Sequence, residues 1–161
     1  MSFFAAFWYN CPKVTRQVGR LGRAISTGRG DGLGYPKMAR IRRFQTEDAE
    51  EISNLIRRTL IEVNSVDYPR AVIINQVHAF TVEKIRELAA HREVYVIAQD
   101  GELLGTASLE DDAIYTVFVL PAHQGHGIGT RLMKHLEKRA RTQGHTAITL
   151  PSSTTACAFY E

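Results

Sequence analysis

Residues 114–130 read IYTVFVLPAHQGHGIGT, an apolar run followed at once by a proline and a glycine-rich stretch. The run 114–120 is rich in β-branched and aromatic residues and is closed by Pro121, which predicts a buried strand. After the glycines, apolar residues recur every three to four positions from Ile128 until Gly144, which predicts an amphipathic helix. A strand, a glycine-rich loop and a helix are therefore expected in this order.

This junction predicts an anion site, because backbone N–H groups at a helix N-terminus can point at one anion and glycines let it approach closely. A P-loop is excluded, since no lysine follows Gly129. A dinucleotide fingerprint fits poorly, because counting from Gly125 gives GHGIGT and no acidic residue lies about 20 positions further on. The remaining pattern is QxxGxG, formed by Gln124, Gly127 and Gly129.

The QxxGxG pattern resembles the acetyl-CoA pyrophosphate loop of the GNAT superfamily of N-acetyltransferases. The end of the chain carries a second likeness, because family members usually have a helix ending in A-x-x-F-Y-E. Ala156, Phe159 and Tyr160 take those positions here, and Ser153 stands where the family often has asparagine. The resemblance covers about residues 38–161.

The order of predicted elements from residue 38 onward is β-α-α-β-β-β-α-β-α, which is similar to the GNAT fold. It belongs to the α/β class, with a central mixed, mostly antiparallel sheet flanked by helices. Asp100-Gly101 predicts a tight hairpin turn between two of the strands. The predicted strands are 40–44, 93–98, 102–109, 114–120 and 146–150. The predicted helices follow Thr46, Thr81, Gly127 and Ser152 or Ser153, with a short helical piece from Ala71 to Val77 between the first two.

The family normally continues past this point with one or two further strands, whereas the sequence stops at Glu161. We therefore expect a C-terminally truncated sheet whose last strands are missing. An open sheet edge predicts poor solubility or pairing with a partner, including a homodimer.

Residues 1–37 hold six of the 20 basic residues and one of the 17 acidic residues, so the net charge of +3 comes from this segment. Its composition predicts disorder, and we expect it to lie outside the fold as a non-native extension of the 38–161 domain. Two alternatives stay open. The segment has the Arg-rich, acid-poor composition of an organellar presequence, or its charges contact nucleic acid, for which we find no motif.

The resemblance implies a role for each part of the site. Pantetheine is expected to lie along Val117, Phe118 and Val119, with a backbone N–H near Val119 stabilising the oxyanion. Ser153 is expected to hydrogen-bond the co-substrate, and Tyr160 to protonate the CoA thiolate as general acid. The pyrophosphate is expected on the amides of Gln124, Gly125, His126, Gly127, Ile128, Gly129 and Thr130.

The general base and the acceptor are less defined by the sequence. Glu110 and Asp112 are candidate bases, although both fit a turn, and a water chain serves equally well. The segment 64–80, which carries Asp67, is expected to select the acceptor. Arg131, Lys134 and Lys138 can meet the CoA 3′-phosphate, but a charged helix face is usually only solvated.

Composition argues against a membrane protein, a disulfide-rich protein and a metal-binding protein. The chain has 161 residues, which suits one soluble domain, and no apolar run approaches the length of about 20 residues that a membrane helix needs. Cys11 and Cys157 form no disulfide framework, which fits the cytoplasm, and the six histidines show no metal-ligand spacing. We expect an acetyl-CoA-dependent N-acetyltransferase acting on an amine without a metal. The alternative is a non-catalytic acyl-CoA-binding or regulatory module.

Overall fold

The computed structural model describes residues 13–18 and 39–151, and all structural statements concern these residues. A central sheet of six strands carries helices on both faces. The strands are β1 (Lys13–Gln17), β2 (Arg40–Arg43), β3 (Glu93–Gln99), β4 (Glu102–Glu110), β5 (Ala113–Val119) and β6 (Ala147–Pro151), and the helices are α1 (Ala49–Glu62), α2 (Arg70–Ala79), α3 (Val82–His91) and α4 (Ile128–Thr142).

The strands lie in the order β1-β6-β5-β4-β3-β2. Only β5 and β6 run parallel among the described pairs, and α4 forms the crossover between them. The hairpin between β3 and β4 turns at Asp100 and Gly101, whose φ angles of 51° and 89° suit a tight turn with two left-handed residues. The expected α/β class with a mixed, mostly antiparallel sheet is confirmed.

The two faces of the sheet are packed by different helices because side chains alternate along each strand. On β3, Tyr95 and Ile97 join the core under α4, whereas Val94 and Val96 join the core under α1 and α3. Helix α4 contributes an apolar stripe at helical spacing to the first core. Its buried apolar members are Ile128, Leu132, Met133, Leu136 and Ala140.

Strand β1 comes from the segment 1–37, which we expected to lie outside the fold. Lys13–Gln17 pair antiparallel with β6, and the backbone N–H of Val18 donates to the carbonyl of Thr146 at 2.8 Å. Val18 is buried in the core under α4. Composition favoured disorder, but five residues are enough to pair with a strand edge. The outer edge of β6, which we expected to be open, is therefore covered by β1.

The helix boundaries follow local signals in the sequence. Thr81 caps α3 by accepting a hydrogen bond from the backbone N–H of Lys84, as its position predicts. Gly144, with φ of 95°, follows the end of α4. None of the helices in residues 39–151 combines the length and the apolar character that crossing a membrane requires. The predicted helix after Ser152 lies outside the described residues.

Candidate functional site

The glycine-rich loop joins the end of β5 to α4. Gly125 and Gly127 have φ angles of 76° and 80°, which place both in the left-handed region. A Cβ at either position would meet nothing within 4 Å, so the backbone angle rather than lack of room favours glycine. Gly127 is the N-cap residue of α4 and has no side chain with which to cap the first N–H groups.

The first turn of α4 supplies the other three residues predicted to hold pyrophosphate. Ile128 is buried in the core, so only its backbone can face a ligand. Gly129 is half-buried and Thr130 is exposed. This turn contains no acidic residue, and the helix dipole places partial positive charge at its N-terminus. The loop and the helix start together form a surface that suits an anion.

The backbone of Val119 faces away from β4. Val119 lies opposite Gly105, and the next N–H, that of Leu120, donates to the carbonyl of Leu104 at 2.9 Å. Because successive residues of a strand direct their backbone groups to opposite sides, the N–H and C=O of Val119 point to the other side. Its carbonyl accepts from the amide of Gln124 at 3.0 Å and lies 3.2 Å from the hydroxyl of Thr59.

The side chain of Phe118 lies on the opposite face of the sheet from those of Val117 and Val119. It lies opposite Thr106 on β4, and its buried ring packs edge-on against Phe80 with 5.9 Å between ring centroids. Val117 and Val119 are half-buried and pack against the core under α4. Of the three residues expected along pantetheine, Phe118 alone packs its side chain into the core under α1 and α3.

Strand β5 is interrupted by a bulge at Thr116, which the sequence interpretation as a regular strand missed. Tyr115 lies opposite Ser108 and Phe118 opposite Thr106, so two residues of β5 face Ala107 alone. Thr116 has a φ of 50°, an angle that a β-branched residue rarely adopts. A bulge bends its strand and redirects the residues that follow it.

The edge of β5 that faces β6 is paired only at its beginning. Within the described residues, Ala113 and Thr149 form the single pair between the two parallel strands, and the N–H of Thr149 donates to the carbonyl of Asp112 at 2.8 Å. From Ile114 to Val119 this edge has no strand partner in the described part of β6. An extended ligand can therefore align with the backbone of β5 there, next to the glycine loop.

The candidate general bases lie at the opposite end of β5. Glu110 and Asp112 flank the turn that precedes β5, about 20 Å from Val119 at 3.3 Å per residue. Glu110 forms an ion pair with Arg92 at 2.8 Å, and Asp112 is exposed. The geometry does not bring either carboxylate to the glycine loop, which fits their alternative interpretation as turn residues.

The remaining predicted residues lie on another segment, next to the loop, or outside the described residues. Asp67 is an exposed residue between a short 3-10 turn and α2. Arg131 donates to the backbone carbonyl of Ala39 at 2.6 Å. Ser153 and Tyr160 fall outside the described residues. Within the part of the chain that the structure describes, no group of three or more His, Cys, Asp or Glu side chains is arranged to hold a metal ion.

Two further residues next to the loop escaped the sequence analysis. Thr59 is a buried hydroxyl in the apolar stripe of α1, and such a polar residue among leucines and isoleucines was the available signal. Gly105 permits close packing, since a Cβ there would lie 3.0 Å from the carbonyl oxygen of Phe118. The same Cβ would lie 3.2 Å from side-chain carbons of Ile128 and Leu132. No sequence pattern marked that close approach.

Comparison with known proteins shows the family to which this chain belongs. Residues 50–161 match the acetyltransferase (GNAT) family, and this span exceeds half of the chain. The chain therefore belongs to the GNAT acetyltransferase family. A search of curated proteins gave no significant match.

Solved structures with the same fold include three informative cases. A GCN5-related N-acetyltransferase from Rhodopseudomonas palustris is 24% identical, with a TM-score of 0.74, over 80% of this chain and 82% of that one. A GNAT family acetyltransferase from Brucella melitensis, in complex with acetyl-CoA, is 26% identical, with a TM-score of 0.57, over 75% and 80%. The PaiA N-acetyltransferase from Thermoplasma acidophilum, in complex with coenzyme A, is 19% identical, with a TM-score of 0.58, over 66% and 74%.

Proposed function

We propose that the protein transfers the acetyl group of acetyl-CoA directly to a primary amine. The observation that carries this proposal is the meeting, at one end of the sheet, of two features. One is an edge of β5 that has no strand partner among the described residues, and the other is the glycine loop that begins α4. An extended arm and a phosphate group of one ligand can occupy these two features together. Family membership, and the CoA and acetyl-CoA complexes of two similar structures, support the ligand.

The proposed binding mode divides acetyl-CoA between backbone groups. Pantetheine pairs with the edge of β5 at Val117 and Val119, and the pyrophosphate meets the amides of residues 124–130. The N–H of Val119 points to the same side as its carbonyl, away from β4, where it can donate to the thioester oxygen. We propose no metal in this reaction, because none of these steps requires one.

The proposed reaction is a single displacement in a ternary complex. The amine nitrogen attacks the thioester carbon, a C–N bond forms and the C–S bond breaks. The amine loses its proton through water, and the departing thiolate takes a proton from Tyr160. No covalent intermediate with the protein is needed. We further propose that residues 64–80 contact the acceptor and that the protein acts in the cytoplasm.

The test measures thiol release from acetyl-CoA by the full chain with a panel of primary amines, alongside calorimetric binding of CoA. Amine-dependent thiol release with CoA binding is the expected result. Binding without release for any amine would favour the alternative, a non-catalytic acyl-CoA-binding module. Absence of CoA binding would overturn both.

Substitution of Tyr160→Phe tests the proposed acid. The phenol has an ordinary pKa of about 10 and can supply a proton to the thiolate, which phenylalanine cannot do. We expect kcat to fall by about 10²-fold or more while CoA affinity stays within about twofold. Tyr95→Phe is the matched control, since it removes a phenol that donates to Glu93 on β3, outside the proposed site, and kcat should stay within about twofold. An unchanged kcat in Tyr160→Phe would remove this residue from the proposed role.

A further inference from the structure

Two buried hydroxyl groups meet across β4 and β5 at the bulge. The Oγ of Ser108 and the Oγ1 of Thr116 lie 2.7 Å apart, and both residues are at least 95% buried. Ser108 Oγ also lies 3.2 Å from the carbonyl oxygen of Tyr115. One direction of donation satisfies both hydroxyls, with Thr116 donating to Ser108 and Ser108 donating to that carbonyl.

The bulge needs such support because its backbone is strained. A non-glycine residue in the left-handed region is strained and persists only where its surroundings hold it there. Each of the two hydrogen bonds adds stability, and losing one partner would leave a buried hydroxyl unpaired at a further cost. The Ser108–Thr116 pair therefore opposes the strain at Thr116.

The bulge also lies at a decisive place along β5. Ala113, three residues earlier, still pairs with β6, and Val117 and Val119 follow on the stretch that is unpaired on this side within the described residues. Without the extra residue, the register of Tyr115 and the residues before it would shift by one, and their side chains would change faces. The hydroxyl pair thus stands between the paired and the unpaired parts of the strand.

We infer that Ser108 and Thr116 are positioning residues, whose hydroxyl pair fixes the bulge and so the direction of the backbone amides that receive the thioester. This inference rests on the proposed acetyl transfer. Neither side chain needs to touch acetyl-CoA, because both are buried between the strands and the core. Their effect is transmitted through the peptide groups of Val117 and Val119.

The test separates positioning from stability by comparing kcat, CoA affinity and melting temperature in the full chain. Ser108→Ala removes the shared acceptor, and Thr116→Gly removes the hydroxyl while relieving the strain of φ 50°. We expect both to lower kcat by about tenfold to a hundredfold, with the Kd for CoA changed less than about threefold. Thr116→Ser keeps a hydroxyl and should retain kcat within about threefold.

Ser53→Ala is the matched control, because the hydroxyl of Ser53 is equally buried and donates to the carbonyl of Phe80 at 2.6 Å, away from the bulge. It should reduce the melting temperature while kcat stays unchanged. Thr116→Gly is the sharpest variant, since a purely structural role predicts equal or higher stability and an unaltered kcat. That result, or a kcat for Ser108→Ala equal to that of Ser53→Ala, would overturn the inference.

A second readout does not depend on activity. In the free protein, the amide ¹⁵N resonances of Val117 and Val119 should shift in Ser108→Ala and Thr116→Gly, and they should keep their positions in Ser53→Ala. Unshifted resonances in both bulge variants would overturn the inference even if the protein binds CoA. Failure of the unaltered chain to bind CoA would instead overturn the proposed function, and the positioning role with it.

Discussion

At the residue scale, Gly127 and Gly144 lie at the two ends of α4 and have similar backbone conformations. Their φ angles are 80° and 95°, and an added Cβ would find open space at both. Alanine at either position is therefore strained by its backbone angle alone, at about 1–2 kcal/mol. Only Gly127 belongs to the proposed pyrophosphate loop.

Substitution of Gly127→Ala should lower CoA affinity by about tenfold or more, because the loop must change its backbone angle and redirect its N–H groups. Gly144→Ala should reduce the melting temperature about as much as Gly127→Ala does, because the backbone strain is the same, and it should leave CoA affinity within about twofold. Calorimetric titration with CoA and thermal unfolding of both variants make the comparison. Equal affinities in the two variants would contradict a role of the loop in anion binding.

At the element scale, two contacts position α4 on the sheet, one by close packing and one by an ion pair. Gly105 of β4 lies directly below Ile128 and Leu132, the residues that begin the buried stripe of α4. Farther along the same helix, Arg139 forms a bidentate ion pair with Glu93 of β3, with both distances at 2.8 Å. The first contact sets the distance between the start of α4 and the sheet. The second holds the later part of α4 on β3.

Replacement of Gly105 by alanine forces either β5 or α4 to move, since the new Cβ would lie 3.0 Å from a backbone oxygen of β5. We expect the free energy of unfolding to fall by about 1–3 kcal/mol and CoA affinity to decrease, because the helix start carries the loop. Leu132→Val removes the Cδ1 atom that the Cβ would approach. Denaturant unfolding of both single variants and the double variant should show a non-additive recovery, and strict additivity would contradict this contact.

The carboxylate of Glu93 predicts a pH dependence of stability. Hydrogen bonds from Arg139 and Tyr95 and the charge of Arg43 lower its pKa from 4.5 to about 2, against the opposing effect of burial. A lowered folded-state pKa adds stability that is complete above about pH 4.5 and is lost as pH falls toward 2. Glu93→Gln should lower the melting temperature by about 2–4 °C at pH 7 and by progressively less below pH 4.

The control for this titration is Glu87→Gln, which removes an exposed ion pair with Lys84. Such pairs contribute little to stability, so its melting temperature should follow the unaltered chain at every pH. A constant difference between Glu93→Gln and the unaltered chain from pH 7 to pH 2.5 would contradict the assigned ion-pair network.

At the scale of the whole molecule, β1 is one edge of the sheet that the described residues form. It pairs with β6, and Val18 directly after it is buried. Removal of residues 1–18 should expose the edge of β6 and uncover core surface, so we expect a lower melting temperature and self-association. Removal of residues 1–12 retains β1 and should have a smaller effect. Light scattering and thermal unfolding compare the two, and identical behaviour would contradict a role of β1 in closing the sheet.

Much of the fold could be predicted from the sequence because its signals are local. Hydrophobic periodicity marked α1, α3 and α4, Asp100-Gly101 marked the hairpin, and QxxGxG marked the loop. The candidate site was predicted only in part. The bulge at Thr116 depends on the register between β4 and β5 and on the hydroxyl of Ser108, which no pattern within one strand records.

The sequence by itself determined the family, the α/β class and the place of the glycine-rich loop, because each depends on residues close together in the chain. Only the tertiary structure decided that Gln124 and Thr59 meet at the carbonyl of Val119, that Glu110 lies far from the loop, and that β1 covers β6. These facts depend on strand order and on contacts between residues distant in sequence. Strand pairing satisfies backbone hydrogen bonds almost regardless of composition, which is why a basic, glycine-rich segment could still supply a strand.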